Sequence, residues 1–168
     1  FLKNKNNGKI LYLNFQRQNL GPIRSDVNVS YDLSSHDLSI IYYLFNKLPN
    51  KINNISYAML KKNISDISNL SFKLKNFFVD INNSWLNPDK IRRLTIISSN
   101  KMLLFDEMES INKIKIFNKY AQYPKISHFD NKFFNKKAKI YVGKNFSPPI
   151  KQNDSLHDEM IYFFNCIK

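Results

Sequence analysis

The chain has 168 residues, of which 43% are hydrophobic, and its formal charge at pH 7 is +13. This length predicts a single domain with a substantial core, and this hydrophobic content excludes an intrinsically disordered protein. The sequence contains no run of 18 or more apolar residues, so we predict no membrane-spanning helix, and its first ten residues do not have the pattern of a signal peptide.

The positive charge arises from 26 lysine and arginine residues against 13 acidic residues. Most of the basic residues are lysines scattered among asparagines and isoleucines, three residue types with A/T-rich codons, which indicates a composition bias of the genome. A helix-turn-helix, a zinc-ligand set and an RNP-type aromatic strand are all absent from the sequence. We therefore predict that the protein does not bind nucleic acid.

The first predicted element is a half-buried strand from Gly8 to Gln18, where apolar and polar residues alternate. A polar connection follows, with a turn at Gly21-Pro22. It carries three candidate substrate-binding residues into the next element: Arg24, Asp26 and Asn28. Long polar connections that end at a candidate catalytic helix are plausible substrate loops.

The segment VNVSYDLSSHDLSIIYYLF, residues 27–45, predicts a helix from about Asp32, capped by Asp32 or Ser34 and ended by Asn46 and then Pro49. Asp32 and His36 are four residues apart, so on a helix they share a face and can touch. A histidine in the first helical turn is disfavoured in its protonated form by the macrodipole. A neutral imidazole oriented by a carboxylate is a competent general base, although such a pair, taken alone, is more commonly a capping and solubility feature.

Asp37 falls inside the apolar arc of the same helix. We expect free backbone N–H groups at the start of the helix to accommodate this carboxylate.

After Pro49 the sequence predicts a series of strands with short connections, which favour antiparallel neighbours. They are Ile52 to Lys61, Ser65 to Lys75, Phe77 to Trp85, Ile91 to Ser98, Met102 to Asp106 and Lys113 to Asn118. The adjacent Arg92 and Arg93 point to opposite faces of their strand, so one of them could face a ligand. Two ordinary surface residues would give the same pattern.

The pattern weakens from Ala121 to Lys137, where we predict a surface excursion in which His128 has no evident role, and a short strand at Lys139 to Val142 follows. Asp154 or Ser155 can cap a last helix with an apolar stripe that we predict to be core. The stripe comprises Leu156, Met160, Phe163, Phe164 and Ile167. The single cysteine, Cys166, is expected to be a buried thiol, consistent with a cytoplasmic protein.

Together these elements predict an α+β fold, with a largely antiparallel, open-faced sheet and helices packed on one face. A G-x-G-x-x-G motif, a P-loop and a metal-ligand cluster are absent from the sequence, which contains only three glycines. A glycine-rich phosphate-binding loop is therefore excluded.

Three stretches together resemble the C-terminal domain of the Gfo/Idh/MocA oxidoreductase superfamily, with most similarity to its nucleotide-sugar dehydrogenase-like branch. They are NLGPIRSDVNVSYDLSSHDLSIIYYLF, then NNSWLNPDKIRRLTIISSNKMLLFDEMES followed by KIKIFNK, and finally SPPIKQNDSLHDEMIYFFNCI. The resemblance covers nearly the whole chain. It implies an NAD(P)-dependent dehydrogenase that acts on a sugar, a nucleotide-sugar or another polyhydroxy substrate.

In that family a separate Rossmann domain binds NAD or NADP and supplies a lysine, while the α+β domain supplies a D-x-x-x-H pair and most of the substrate pocket. The resemblance therefore implies that His36 is the general acid/base and Asp32 its polar partner. It also implies a substrate-binding set composed of Arg24, Asp26, Asn28, Trp85 and Arg92. A homo-oligomer formed through the sheet face is a further expectation.

The chain departs from the family pattern because it carries no Rossmann domain and no E-K-P lysine. We expect residues 1–168 to be one substrate-binding and catalytic domain, truncated at both ends and inactive by itself. The alternative hypothesis is a noncatalytic binding or dimerisation module that uses the open face of its sheet.

Overall fold

A computed structural model describes residues 1–123, 137–150 and 154–167 of the chain. It contains a short 3₁₀ turn at Lys5–Asn7, followed by nine strands and two helices in these parts of the chain. In chain order they are β1 (Ile10–Gln18), α1 (Val29–Phe45), β2 (Asn53–Tyr57), β3 (Ile67–Leu74), β4 (Phe77–Ser84), β5 (Ile91–Ser98), β6 (Met102–Asp106), β7 (Ile114–Phe117), β8 (Lys119–Gln122), β9 (Lys139–Val142) and α2 (Ser155–Ile167).

Seven strands form one sheet in the order β2-β3-β4-β1-β5-β6-β7, and β8 and β9 form a separate ribbon. Every neighbouring pair in the large sheet is antiparallel except β1 and β4, which are parallel. The parallel pair arises because the chain leaves β1 through α1 and returns by the β3–β4 hairpin. The predicted α+β class and the largely antiparallel sheet are confirmed.

One face of the sheet is covered by α1, and the residues that alternate toward this helix form the core. On β1 these are Leu13 and Phe15, and on β4 they are Val79 and Ile81, all at most 1% exposed. The helix contributes Ile41 to the same cluster. Side chains on the opposite face are more accessible, as for Phe78. The alternation seen in the sequence therefore corresponds to one covered and one open face.

Helix α1 begins three residues earlier than predicted. Its N-cap is Asn28, not Asp32 or Ser34, and the side chain of Asn28 makes no capping hydrogen bond. Asp32 instead lies in the first turn. The C-terminus is as predicted, because Asn46 adopts a left-handed conformation (φ 48°) and its N–H donates to the carbonyl of Tyr42.

Helix α2 differs from its predicted role. Asp154 caps it, as expected, because Asp154 Oδ1 accepts hydrogen bonds from the N–H groups of Leu156 and His157. The predicted core stripe is wrong, however, since none of the described residues of α2 is buried. Cys166 is also exposed, which corrects the expectation of a buried thiol. Helical periodicity indicates which face of a helix is apolar, but it does not identify what covers that face.

Most of the predicted excursion between Ala121 and Lys137, including His128, lies outside the described residues. Where the structure resumes, the predicted strand at Lys139–Val142 is confirmed as β9. Its partner β8 was not predicted as a strand of its own. Within the described ranges, no helix has both the length and the apolar character needed to span a membrane.

Candidate functional site

Several of the predicted site residues meet at the N-terminal end of α1. The Asp32 carboxylate accepts a hydrogen bond from Trp85 Nε1 at 3.2 Å through Oδ2, and another from Arg24 Nη1 at 3.4 Å through Oδ1. Arg24 also donates to both carboxylate oxygens of Asp26, at 3.0 and 2.5 Å. This hydrogen bonding holds the pKa of the Asp26 carboxyl below its ordinary value. The structure thus brings together a charged cluster from the β1–α1 connection, α1 and the end of β4.

Trp85 reaches Asp32 because parallel pairing aligns the ends of β1 and β4, with Gln18 opposite Ser84. The backbone N–H of Trp85 donates to the carbonyl of Asp66, which holds the residue immediately after the strand. The side chain is only 2% exposed. Its indole is therefore a buried support for Asp32 in this structure rather than an open lining surface.

Asn28 fixes the start of the helix to the chain segment before β3. Its Oδ1 accepts hydrogen bonds from the backbone N–H of Ser65 at 2.7 Å and from the hydroxyl of Ser65 at 3.1 Å. The N–H of Val29 donates back to the carbonyl of Ser65 at 2.9 Å. Asn28 therefore orders the loop that carries Arg24 and Asp26, whether or not it touches a ligand.

His36 lies on the exposed side of α1, and its imidazole makes no hydrogen bond to any described residue. The oxygens of Asp32 are occupied by Arg24 and Trp85, so the predicted Asp32–His36 contact is not formed in this structure. Because α1 begins at Val29, His36 is its eighth residue. The macrodipole effect falls off within the first turn, so the dipole argument for a neutral imidazole does not apply. The exposed ring is free to meet a substrate.

Arg92 is not part of this cluster. It donates to Glu107 Oε1 at 3.0 Å, at the edge of a second group of charges formed by Arg17, Asp37 and Glu107. Its neighbour Arg93 binds Asp106 instead, at 2.7 Å. The two adjacent arginines therefore have different surroundings, as predicted, and each of them has its own acidic partner within the protein.

Arg17 and Asp37 form a buried ion pair that the sequence interpretation missed. Arg17 of β1 donates twice to Asp37 Oδ1, at 3.2 and 3.1 Å, and the side chain of Asp37 is 4% exposed. Burial raises the pKa of the Asp37 carboxyl, and the Arg17 guanidinium opposes that rise. The expectation that helix N–H groups accommodate Asp37 is wrong, because Asp37 lies in the third turn of α1, where these groups are already bonded.

A dinucleotide cofactor does not fit the described residues. The connection from β1 to α1 contains a single glycine, Gly21, where a Rossmann turn needs a glycine-rich loop that cradles the pyrophosphate. In the described segments, His, Cys, Asp and Glu side chains also form no group able to hold a metal ion. What the cluster offers is charge and hydrogen-bond donors beside an exposed imidazole.

Comparison with known proteins gives a consistent answer at the level of the fold. No protein-family model and no curated protein matches the chain. Among solved structures, the UDP-N-acetylglucosamine 3-dehydrogenase GnnA from Acidithiobacillus ferrooxidans aligns with a TM-score of 0.66 at 18% identity, over 96% of this chain and 46% of its own. Levoglucosan dehydrogenase, in complex with NADH and L-sorbose, aligns with a TM-score of 0.61 at 8% identity, over 96% of this chain and 50% of its own.

The WlbA dehydrogenase from Bordetella pertussis, in complex with NADH and UDP-GlcNAcA, aligns with a TM-score of 0.55 at 12% identity, over 67% of this chain and 39% of its own. The chain thus spans half or less of the length of each of these three proteins. At such low identities the alignments establish a shared fold. They confirm, at that level, the resemblance to Gfo/Idh/MocA-type oxidoreductases seen in the sequence.

Proposed function

We propose that the chain is the substrate-binding and catalytic domain of an NAD(P)-dependent oxidoreductase that acts on a sugar, a nucleotide-sugar or a related polyhydroxy compound. The observation that carries the proposal is the Arg24–Asp32–Trp85 cluster, one helical turn from an exposed histidine, in a fold shared with sugar and nucleotide-sugar dehydrogenases. Family membership is part of this proposal.

Oxidation of a carbinol requires the loss of a hydroxyl proton and of a hydride from the same carbon. His36 supplies the proton acceptor, because its imidazole is exposed and makes no hydrogen bond with any described side chain. The described residues provide no hydride acceptor, so NAD or NADP is held by a part of the protein outside them. Asp32 is oriented by Trp85 and Arg24, and it presents negative charge on the face of α1 that carries His36.

The β1–α1 connection supplies groups suited to a polyhydroxy or phosphorylated substrate. Arg24 and Asp26 are about half exposed, with side-chain exposures of 46% and 61%, so both can exchange their mutual ion pair for contacts with a ligand. A guanidinium binds phosphate or carboxylate through two parallel hydrogen bonds, and a carboxylate accepts from sugar hydroxyls. Asn28 holds this connection in place, and Arg92 sits farther away in its pair with Glu107.

The alternative function is a noncatalytic module that pairs through the open face of its sheet. Apolar side chains on that face favour it, since Ile55, Tyr57 and Phe78 are 59%, 56% and 46% exposed. The two functions are compatible, because an oxidoreductase domain can also form a homo-oligomer through the same face. A protein that dimerises through these residues but has no dehydrogenase activity would favour the module.

The proposal predicts that the reading frame upstream of Phe1 encodes a strand, a G-x-G-x-x-G turn and a helix, within roughly 120–150 residues. DNA sequencing of this region is the first measurement. The protein from the whole frame should then bind NADH or NADPH and reduce or oxidise members of a panel of sugars and UDP-sugars. A start codon directly before Phe1, together with no activity in the presence of either nucleotide, would contradict the proposal.

We predict that Trp85→Phe disturbs catalysis by releasing Asp32, because phenylalanine keeps an aromatic ring in the buried site but lacks the Nε1–H donor. The lost hydrogen bond should reduce the free energy of unfolding by only about 0.5–1.5 kcal/mol. Turnover by the full-length protein should fall several-fold, and the pH profile of kcat should shift, since the carboxylate beside His36 is less constrained.

The pH profile separates this positioning role from a purely structural one. If Trp85→Phe lowers the thermal midpoint but gives the same kcat and the same pH profile as the parent protein, then the indole contributes only to packing.

A further inference from the structure

A cavity of about 430 Å³ lies at the opposite end of α1 from the candidate catalytic residues. It opens between the segment that follows the helix and the turn that joins β3 to β4. Since α1 rises about 1.5 Å per residue, its far end is about 20 Å from Asp32. The volume is within the range of small-molecule sites, about 300–1,000 Å³. None of the candidate catalytic and substrate-binding residues lines it.

The lining of this cavity is strongly basic. Lysines make up 22 of the 168 residues of the chain, or about one in eight, whereas four of the eleven lining residues are lysines and none is acidic. They are Lys47, Lys51, Lys73 and Lys75. This concentration exceeds what the lysine-rich composition of the whole chain would produce. The cavity therefore carries a local excess of positive charge.

The four lysines are not equivalent. Lys75 Nζ donates to the carbonyl of Phe45 at 3.4 Å and lies 5.8 Å from the centre of the Phe45 ring, so it neutralises the negative end of α1. The ammonium groups of Lys47, Lys51 and Lys73 have no hydrogen bond or ion pair with any residue in the described part of the chain. Three uncompensated cations around one cavity attract a compound with several negative charges.

The rest of the lining favours a ligand that has an aromatic or apolar portion. Phe72 and Leu74 belong to the core beneath the cavity, and Phe78 is 46% exposed at its wall. The ring of Phe78 is held by stacking on Tyr12, with centroids 6.1 Å apart and an interplanar angle of 18°. Phe78 is the β4 partner of Lys73, so an aromatic face and an ammonium group adjoin. An aromatic ligand ring can pack on such a fixed face.

We propose that this cavity binds a small aromatic compound with at least two negative charges, such as an aryl phosphate or a mononucleotide. The ring contacts Phe78, and the anionic group lies among Lys47, Lys51 and Lys73. The site is separate from the proposed catalytic residues, and the proposal does not depend on the oxidoreductase function. Lys75 lines the cavity and donates to the carbonyl of Phe45, so the cavity adjoins the C-terminal end of the helix that carries His36.

The experiment measures binding of 1-naphthyl phosphate to the 168-residue chain by calorimetry, with inorganic phosphate and 1-naphthol as the charge-only and ring-only probes. The first compound should bind at least about tenfold more tightly than either of the others, because it uses both features. AMP should compete with it. Equal binding of inorganic phosphate and 1-naphthyl phosphate would overturn the role of Phe78, and no binding of either would overturn the site.

Charge reversal tests the location. The double variant Lys51→Glu/Lys73→Glu should weaken 1-naphthyl phosphate binding by about tenfold or more, whereas Lys90→Glu/Lys101→Glu, which changes the net charge equally outside the cavity, should alter it less than about twofold. Circular dichroism confirms that both variants fold. If both variants lose the same affinity for 1-naphthyl phosphate, the effect is due to net charge and the proposed location is wrong. Tight, steeply salt-dependent binding of a single-stranded oligonucleotide that is lost in Lys51→Glu/Lys73→Glu would overturn the small-ligand assignment.

Discussion

Replacement of His36 by alanine in the full-length protein should lower turnover by about 10²- to 10⁴-fold, the usual contribution of a positioned general acid or base. The affinity for NADH or NADPH should not change, because no described residue near His36 forms a dinucleotide site. The thermal midpoint should also change little, since the imidazole is exposed and makes no hydrogen bond within the described structure. Single-turnover kinetics together with nucleotide titration measure these quantities separately.

His157→Ala is a matched control for this experiment. His157 is also a helical histidine, its side chain is 68% exposed, and it lies in α2 and takes no part in the hydrogen bonds of the Asp32 cluster. Its removal should leave kcat within about twofold of the parent value. If His36→Ala and His157→Ala have the same small effect, His36 does not transfer the proton, and the proposed mechanism is wrong even if the protein is a dehydrogenase.

The sheet was predictable because its information is local in the sequence. Alternation on β4 separates buried Val79 and Ile81 from the side chains of the open face. This alternation is present in the sequence of the strand and does not depend on which strands lie beside it. The parallel pairing of β1 with β4 was not predictable in the same way. It depends on which strands become neighbours after α1 crosses the sheet, and each strand alone has no signal for that choice.

The helix shows where a local pattern misleads. Its buried residues are Val29, Ser34, Asp37 and Ile41, so two of the four buried side chains are polar. Sequence periodicity favours apolar residues for such positions, and the helix start that it predicted, about Asp32, is three residues later than the observed start at Val29. Asp37 was recognised as an exception. A buried carboxylate requires a partner, and the core-facing positions of β1 after Leu13 and Phe15 continue to Arg17, which was the available signal.

The candidate site was predictable as a set of residues but not as a set of contacts. Arg24, Asp26, Asp32 and Trp85 do meet, because the loop before α1 and the end of β4 reach the same edge of the sheet, whereas Asn28 bonds to Ser65. The sequence could not specify that Asp32 turns toward Trp85 and Arg24 instead of His36. Two donors from distant parts of the chain compete for this carboxylate, and the spacing of four residues describes only one of the possible partners.

The buried pair beneath α1 gives the second large prediction. Arg17→Met should destabilise the protein by about 3–5 kcal/mol, because methionine fills the space of the arginine stem and leaves the buried Asp37 carboxylate without its counter-charge. The double variant Arg17→Met/Asp37→Leu removes both charges. Its free energy of unfolding should return to within about 1 kcal/mol of the parent value or exceed it. Urea denaturation of the three proteins measures this difference.

The pH dependence of the free energy of unfolding distinguishes a buried charge without a counter-charge from a loss of packing. Burial raises the pKa of Asp37 above its ordinary value of 3.8, and Glu107 acts in the same direction, whereas Arg17 and His36 oppose the rise. Between its unfolded-state and folded-state pKa values, this carboxyl is protonated in the folded protein and loses its proton when the protein unfolds. Stability is therefore unaffected by this group below pH 3.8 and falls as the pH increases from there to the folded-state pKa.

Removal of Arg17 eliminates the main opposing charge, so the pKa of Asp37 should rise further and the pH window in which stability falls should widen. As the pH rises above 3.8, Arg17→Met should thus lose more stability than the parent protein, whereas Arg17→Met/Asp37→Leu should show no such additional loss. A pH-independent penalty shared by both variants would assign the destabilisation to the altered packing between β1 and α1. An added pH dependence confined to the single variant would instead identify Asp37 as a buried charge that Arg17 compensates.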